Sequence, residues 1–151
     1  MYGRKGDYEK AEKNLIKSIE IQKNMTMDTH IDIATDYHDL AAIYGRKGDY
    51  RKAEKFIKKS LEIREKKLGK NHPETANSYN TLGLVCIAKK EQQKVLFLFL
   101  KAFKIWVSTY DFNLLNIKTA FDNMKLTYYN WKPEGNFERW LEEQMKDPEH
   151  N

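Results

Sequence analysis

The chain has 151 residues, 40% of them hydrophobic and 13% aromatic, enough for a buried core in one domain or a short array. Lys and Arg exceed Asp and Glu by 27 − 22 = 5, but the excess is dispersed in mixed strings such as Arg64, Glu65, Lys66 and Lys67, the pattern of solvated helix faces rather than of a nucleic-acid groove. No apolar run reaches the ~18 residues of a membrane-spanning helix, residues 1–10 lack a leader's apolar core, and the single Cys86 excludes a disulfide framework, so a cytoplasmic protein is expected.

Apolar residues recur at helical spacing throughout and predict helices at about 7–24, 31–46, 50–67, 73–89, 91–108, 113–130 and 135–146. The string YGRKGDYEKAEK at 2–13 returns as YGRKGDYRKAEK at 44–55, so eleven of twelve positions recur after a shift of 44 − 2 = 42. The same shift carries Ser18 to Ser60, Ile21 to Ile63, His30 to His72, Ala34 to Ala76, Tyr37 to Tyr79 and Leu40 to Leu82. A period of roughly 20–50 residues marks an array whose units bury their apolar faces only against neighbours. Residues 1–5 match only the tail of a preceding helix. The first helix is therefore expected to leave Tyr8, Ala11, Leu15 and Ile19 bare, and the chain to be a piece of a longer array or to associate through that face.

The second and third predicted helices form a hairpin. Between them Gly48 can take the left-handed conformation that ends one helix, and Asp49 can cap the next. Tyr37, Leu40, Ala41 and Tyr44 on one helix, and Tyr50, Ala53, Ile57 and Leu61 on the other, recur at helical spacing. Gly69 and Pro73 punctuate the join to the fourth helix, since proline suits a first turn. In the fifth helix Lys90, Glu91 and Gln92 replace Gly48, Asp49 and Tyr50, and the stretch 94–107 is apolar all round. Burial on both sides is expected, with the final helices as the cover or with a second copy in their place. Gly135, Asn136 and Phe137 echo Gly48, Asp49 and Tyr50 at 135 − 48 = 87, two periods plus three residues. Trp140 stands in the place of Ala53, as befits a terminal unit. The partition is one array over 1–146: a truncated repeat at 1–27, repeats at 28–69 and 70–111, a capping pair at 112–146, and a disordered tail at 147–151.

The small residues Ala41, Gly83 and Ala53, the aromatics Tyr37, Tyr79, Tyr44 and Tyr50, and Leu40 and Leu82 resemble the tetratricopeptide repeat. The 42-residue period and the segment 59–76, continued by Tyr79, Asn80, Thr81, Leu82, Gly83 and Leu84, are similar to the kinesin light chain variety of that family. The resemblance covers most of 1–108. It implies an all-α fold, a right-handed α-solenoid of antiparallel helix pairs, and a protein–protein interaction scaffold. In relatives the first helix of each pair lines a concave groove that holds an extended peptide or a partner helix. The positions so implied are Thr35, His38, Asp39 and Ala42, then Asn77, Asn80, Thr81 and Leu84, then Asp122, Lys125 and Tyr129. Asparagine suits that role because its amide both donates to and accepts from a peptide backbone. The lysine and asparagine clamp by which some relatives hold a chaperone's C-terminal carboxylate is missing at His38, Asp39 and Ala42.

Catalysis finds no support in the residues. His30 and His72 repeat at one loop position and read as turn formers. His38 has no cysteine or carboxylates at metal-ligand spacing. Cys86 takes the packing place of Tyr44, and phosphate-cradling glycine loops and nucleophile elbows are missing. No metal, cofactor or enzymatic activity is expected. A self-associating module is the alternative reading, through the truncated first repeat or the apolar helix at 94–107, and a nucleic-acid solenoid is a distant third.

Overall fold

The computed structural model describes residues 5–23, 30–109 and 114–146. Its elements are α1 (Lys5–Lys23), α2 (His30–Arg46), α3 (Tyr50–Leu68), α4 (Pro73–Cys86), a 3₁₀ turn (Ile87–Lys89), α5 (Gln92–Ser108), α6 (Leu114–Trp131) and α7 (Phe137–Lys146), and no strand occurs among the described residues. The fold is all-α, built of antiparallel helix pairs. Two compact units divide the chain, residues 1–67 and residues 68–151. The tail 147–151 lies outside the described residues.

In the first unit α2 and α3 form the expected hairpin. Gly48 has φ +83, a conformation open mainly to glycine, and the Lys52 amide donates to Asp49 Oδ1 at 3.2 Å, closing the cap of α3. Ala34, Leu40, Ala41, Ala53 and Ile57 lose all solvent contact. Phe56 stacks against Tyr37 and Tyr44 at centroid distances of 5.9 and 5.5 Å, and the buried Ser60 hydroxyl donates to the Ala34 carbonyl at 2.7 Å. Small side chains thus bring the two axes together, and the rings fill what remains.

The face of α1 is less bare than its sequence suggested. Ile19 is buried and Tyr8, Ala11 and Leu15 are half-buried. The cause is α2, which packs on α1: Ser18 Oγ and Gln22 Nε2 donate to Asp36 Oδ2 at 2.7 and 2.9 Å. The Tyr44 hydroxyl donates to Glu12 Oε1 at 2.6 Å, and Lys47 pairs with Glu12 at 2.8 Å.

In the second unit α5 lies between α4 and α6 and packs on both. Leu96, Phe99, Leu100 and Ala102 are sealed and Val95, Ile105 and Trp106 nearly so, as an all-round apolar helix requires. Gly83 makes room for this, because a Cβ there would lie 2.7 Å from the Phe99 ring. Phe121, Tyr128, Phe137 and Trp140 form an aromatic cluster that closes the unit, and Phe97 meets Trp140 edge-on at 6.4 Å.

Two boundaries differ from the reading of the sequence. The fourth helix does not stay α-helical to residue 89; it tightens into the 3₁₀ turn after Cys86, and Lys90 ends it at φ 58. A lysine here does what Gly48 does in the first hairpin, at a cost of roughly 1–2 kcal/mol for its Cβ. The last helix starts at Phe137, because Asn136 caps it through the Arg139 amide at 2.9 Å. Gly135 serves differently from Gly48: a Cβ there would run into the Tyr128 hydroxyl.

Candidate peptide-binding site

On α4 the spacing 77, 80, 81 and 84 places four residues on one helical face. Asn77, Asn80 and Thr81 are half-buried there and Leu84 is 44% exposed. The Asn80 Oδ1 atom is enclosed and has no hydrogen-bond partner. An amide oxygen in that state costs about 1–3 kcal/mol until it turns to meet a donor.

On α2 the equivalent face has a different character. Thr35 and Asp39 are exposed, while His38 and Ala42 are half-buried. Arg64, reaching from α3 and itself buried, places Nη1 3.0 Å from His38 Nδ1. That contact requires the ring nitrogen to accept, so His38 is neutral. Burial first, and the Arg64 charge second, push its pKa down to about 4 from the ordinary 6.5. Burial and the neighbouring Asp36 raise the Asp39 pKa.

The third row lies on α6. Lys125 is exposed, as Asp122 is, and its ammonium lies 3.3 Å from Glu138 on α7, whose carboxyl is held below its usual range first by its own backbone amide and then by that ammonium. Tyr129 points the same way, with its hydroxyl accepting from the Phe137 amide at 3.5 Å and its ring edge-on to Tyr128. Both serve the α6–α7 hairpin. The reason lies in where the three extra residues sit. Phe121, Met124 and Tyr128 fall at Tyr79 + 42, Leu82 + 42 and Cys86 + 42, so α6 keeps the period and the insertion belongs to the following turn at 132–135. Positions 77, 80, 81 and 84 therefore map onto Thr119, Asp122, Asn123 and Leu126. Leu126 is 65% exposed, and Asp122 is exposed and paired with Lys118 at 2.9 Å. The packing periodicity of α6 was the signal that identifies them.

His72 caps α4 by accepting from the Glu74 amide at 3.1 Å, a turn role. Cys86 is sealed. Among the described residues no three His, Cys, Asp or Glu side chains converge as metal ligands, and no helix is long and apolar enough to cross a membrane.

Helix pairs repeated at 42 residues, with polar and leucine-bearing outer faces on the first helix of a pair, define a helical-repeat protein of the α-solenoid class. A profile of the tetratricopeptide repeat matches residues 1–66 and 37–106, and the chain belongs to that family. The crystal structure of BtubC (BKLC) from P. vanneervenii is similar, with a TM-score of 0.78 at 17% identity over 93% of this chain. The match covers 56% of the BtubC chain, so the present sequence spans little more than half of that length. No curated protein matches the sequence significantly.

Proposed function

We propose that the chain is a non-catalytic interaction module of the 42-residue, kinesin light chain-like variety, which binds an extended peptide or a partner helix on the groove-lining, exposed faces of α4 and α6. The observation that carries this reading is the pair Leu84 and Leu126. They stand one period apart, 126 − 84 = 42, and both expose large apolar side chains that the fold does not use. Beside them Asn77 and Asn80 offer amides able to hold a backbone whatever its side chains. Apolar anchors flanked by sequence-tolerant polar groups are the recurring composition of peptide-binding faces. The α2 face of the first unit, with Thr35, His38 and Asp39, is taken as a separate candidate of more charged character. Cytoplasmic location accompanies it, as the one cysteine is a packed thiol. Self-association through the apolar helix finds less support, because α4 and α6 already take the surface of α5.

Affinity capture with the wild type and with Asn77→Ala/Asn80→Ala and Leu84→Lys/Leu126→Lys variants tests the proposal. A captured partner should be lost from both, with unchanged circular dichroism. A partner retained by both double variants places binding elsewhere.

A further inference from the structure

The first unit holds a cavity of about 460 Å³ between the N-terminal half of α2 and the C-terminal half of α3, which meet because the two helices run antiparallel. Its apolar lining is the buried Tyr37 and the half-buried Ile63. The remainder is charged. Lys59 is half-buried, with its ammonium over the Tyr37 and Phe56 rings at 5.4 and 5.6 Å, and it meets no carboxylate among the described residues. Lys67 meets none there either, and Lys66 reaches Glu62 at 3.3 Å. Three ammonium groups against one carboxylate leave 3 − 1 = 2 positive charges in the lining, with His30 counted as neutral.

Repeat packing explains part of this and leaves the rest. In the next period Lys101 stands over the Tyr79 ring at 5.2 Å, so a lysine on a tyrosine belongs to the array. Lys66 and Lys67 do not recur, because Ser108 and Thr109 take their places and donate to the Ile105 and Trp106 carbonyls of their own helix at 3.0 and 3.2 Å. The negative end of the α3 dipole tolerates the two lysines without a counter-ion, and the excess charge stays open to a ligand. We propose that this cavity binds a phosphate dianion, as a monoester or as the free ion. Such a group carries about two negative charges at neutral pH and three strong acceptor oxygens, which match the charge of the lining and the rotatable donors of lysine. A single carboxylate would neutralise half as much. The site is independent of the faces proposed on α4 and α6, which belong to the second unit.

Backbone amide shifts of the isotope-labelled full chain, titrated at constant ionic strength with N-acetylphosphoserine, inorganic phosphate and N-acetylglutamate, test the assignment. Both phosphate probes should move the amides of residues 59–67 saturably with dissociation constants of about 1 mM, and the glutamate probe should bind at least about fivefold more weakly. Lys59→Met, which keeps an apolar stem on the rings, should weaken phosphate binding about tenfold, and Lys67→Gln about threefold. Leu126→Lys in the second unit should leave it unchanged. Phosphoserine binding tighter than inorganic phosphate assigns the group to a modified side chain of a partner, and equal or weaker binding assigns it to the free ion. Shifts that do not saturate, a glutamate probe that binds as well as phosphate, or an affinity indifferent to both lysine substitutions overturns the proposal.

Discussion

Helices α1 and α3 are repeat copies in two surroundings, identical at nine of sixteen positions over 8–23 and 50–65. Ala11, Leu15 and Ser18 are half-buried, whereas Ala53, Ile57 and Ser60 are completely sealed. Their serines make the point at atomic scale: Ser60 donates to the backbone of α2, its hairpin mate, while Ser18 donates to the Asp36 carboxylate on the helix that follows. What a repeat helix contributes to stability is therefore set by how many neighbours it has, not by its own residues. That is the physics of an array whose units cannot close a core alone.

Matched truncations should break the equivalence of the two helices most visibly. Ile57→Ala opens a sealed site and should cost about 2–5 kcal/mol in urea unfolding, whereas Leu15→Ala, half-wet already, should cost well under half as much. Next in size, Gly83→Ala forces a methyl against Phe99 and should destabilise by about 1–3 kcal/mol in the same assay.

A smaller effect sharpens the comparison through pH. Position 64 is Arg in α3 where α1 has Gln22, and burial together with Arg64 depresses His38 in the α2–α3 hairpin. Below its ordinary 6.5 the unfolded chain binds a proton that folded His38, titrating at about 4, refuses. Its contribution to stability is thus complete above 6.5 and is lost as pH falls from there towards about 4. His38→Gln, which can still accept from Arg64, should flatten the stability profile across that window without changing the neutral-pH value by more than about 1 kcal/mol. The half-buried Glu12 on α1 is worth least: Glu12→Gln, which keeps an oxygen to accept from Tyr44, should cost about 0.5–1 kcal/mol, less in high salt.

The repeat, the helix pairs and their turns were legible because each rests on local chemistry. Gly48 and Asp49 carry their own conformational signals, and Ala41, Ala53 and Gly83 mark close approach without any knowledge of the partner. The exposed face of α4 that we propose for binding lies in the same register. Two kinds of information were not local. Which side of α6 faces α7 depends on where three extra residues are spent, and the echo of Gly48 at Gly135 spread that uncertainty back over Lys125 and Tyr129. The early end of α4 depends on Lys90 accepting a left-handed conformation, for which lysine gives no signal. The cover that α2 provides to Ile19 could not be seen in the spacing of α1 either, because the same apolar stripe reads alike whether or not a neighbour meets it.

Hydrogen exchange followed by mass spectrometry at neutral pH, comparing amides of residues 8–22 with those of residues 50–64, tests this dependence on neighbours most directly. Protection in α3 should approach that of global unfolding, while α1, its less covered repeat copy, should exchange through local opening at least about tenfold faster. Equal protection in the two segments would contradict the account, for it would mean that helix sequence rather than cover decides stability.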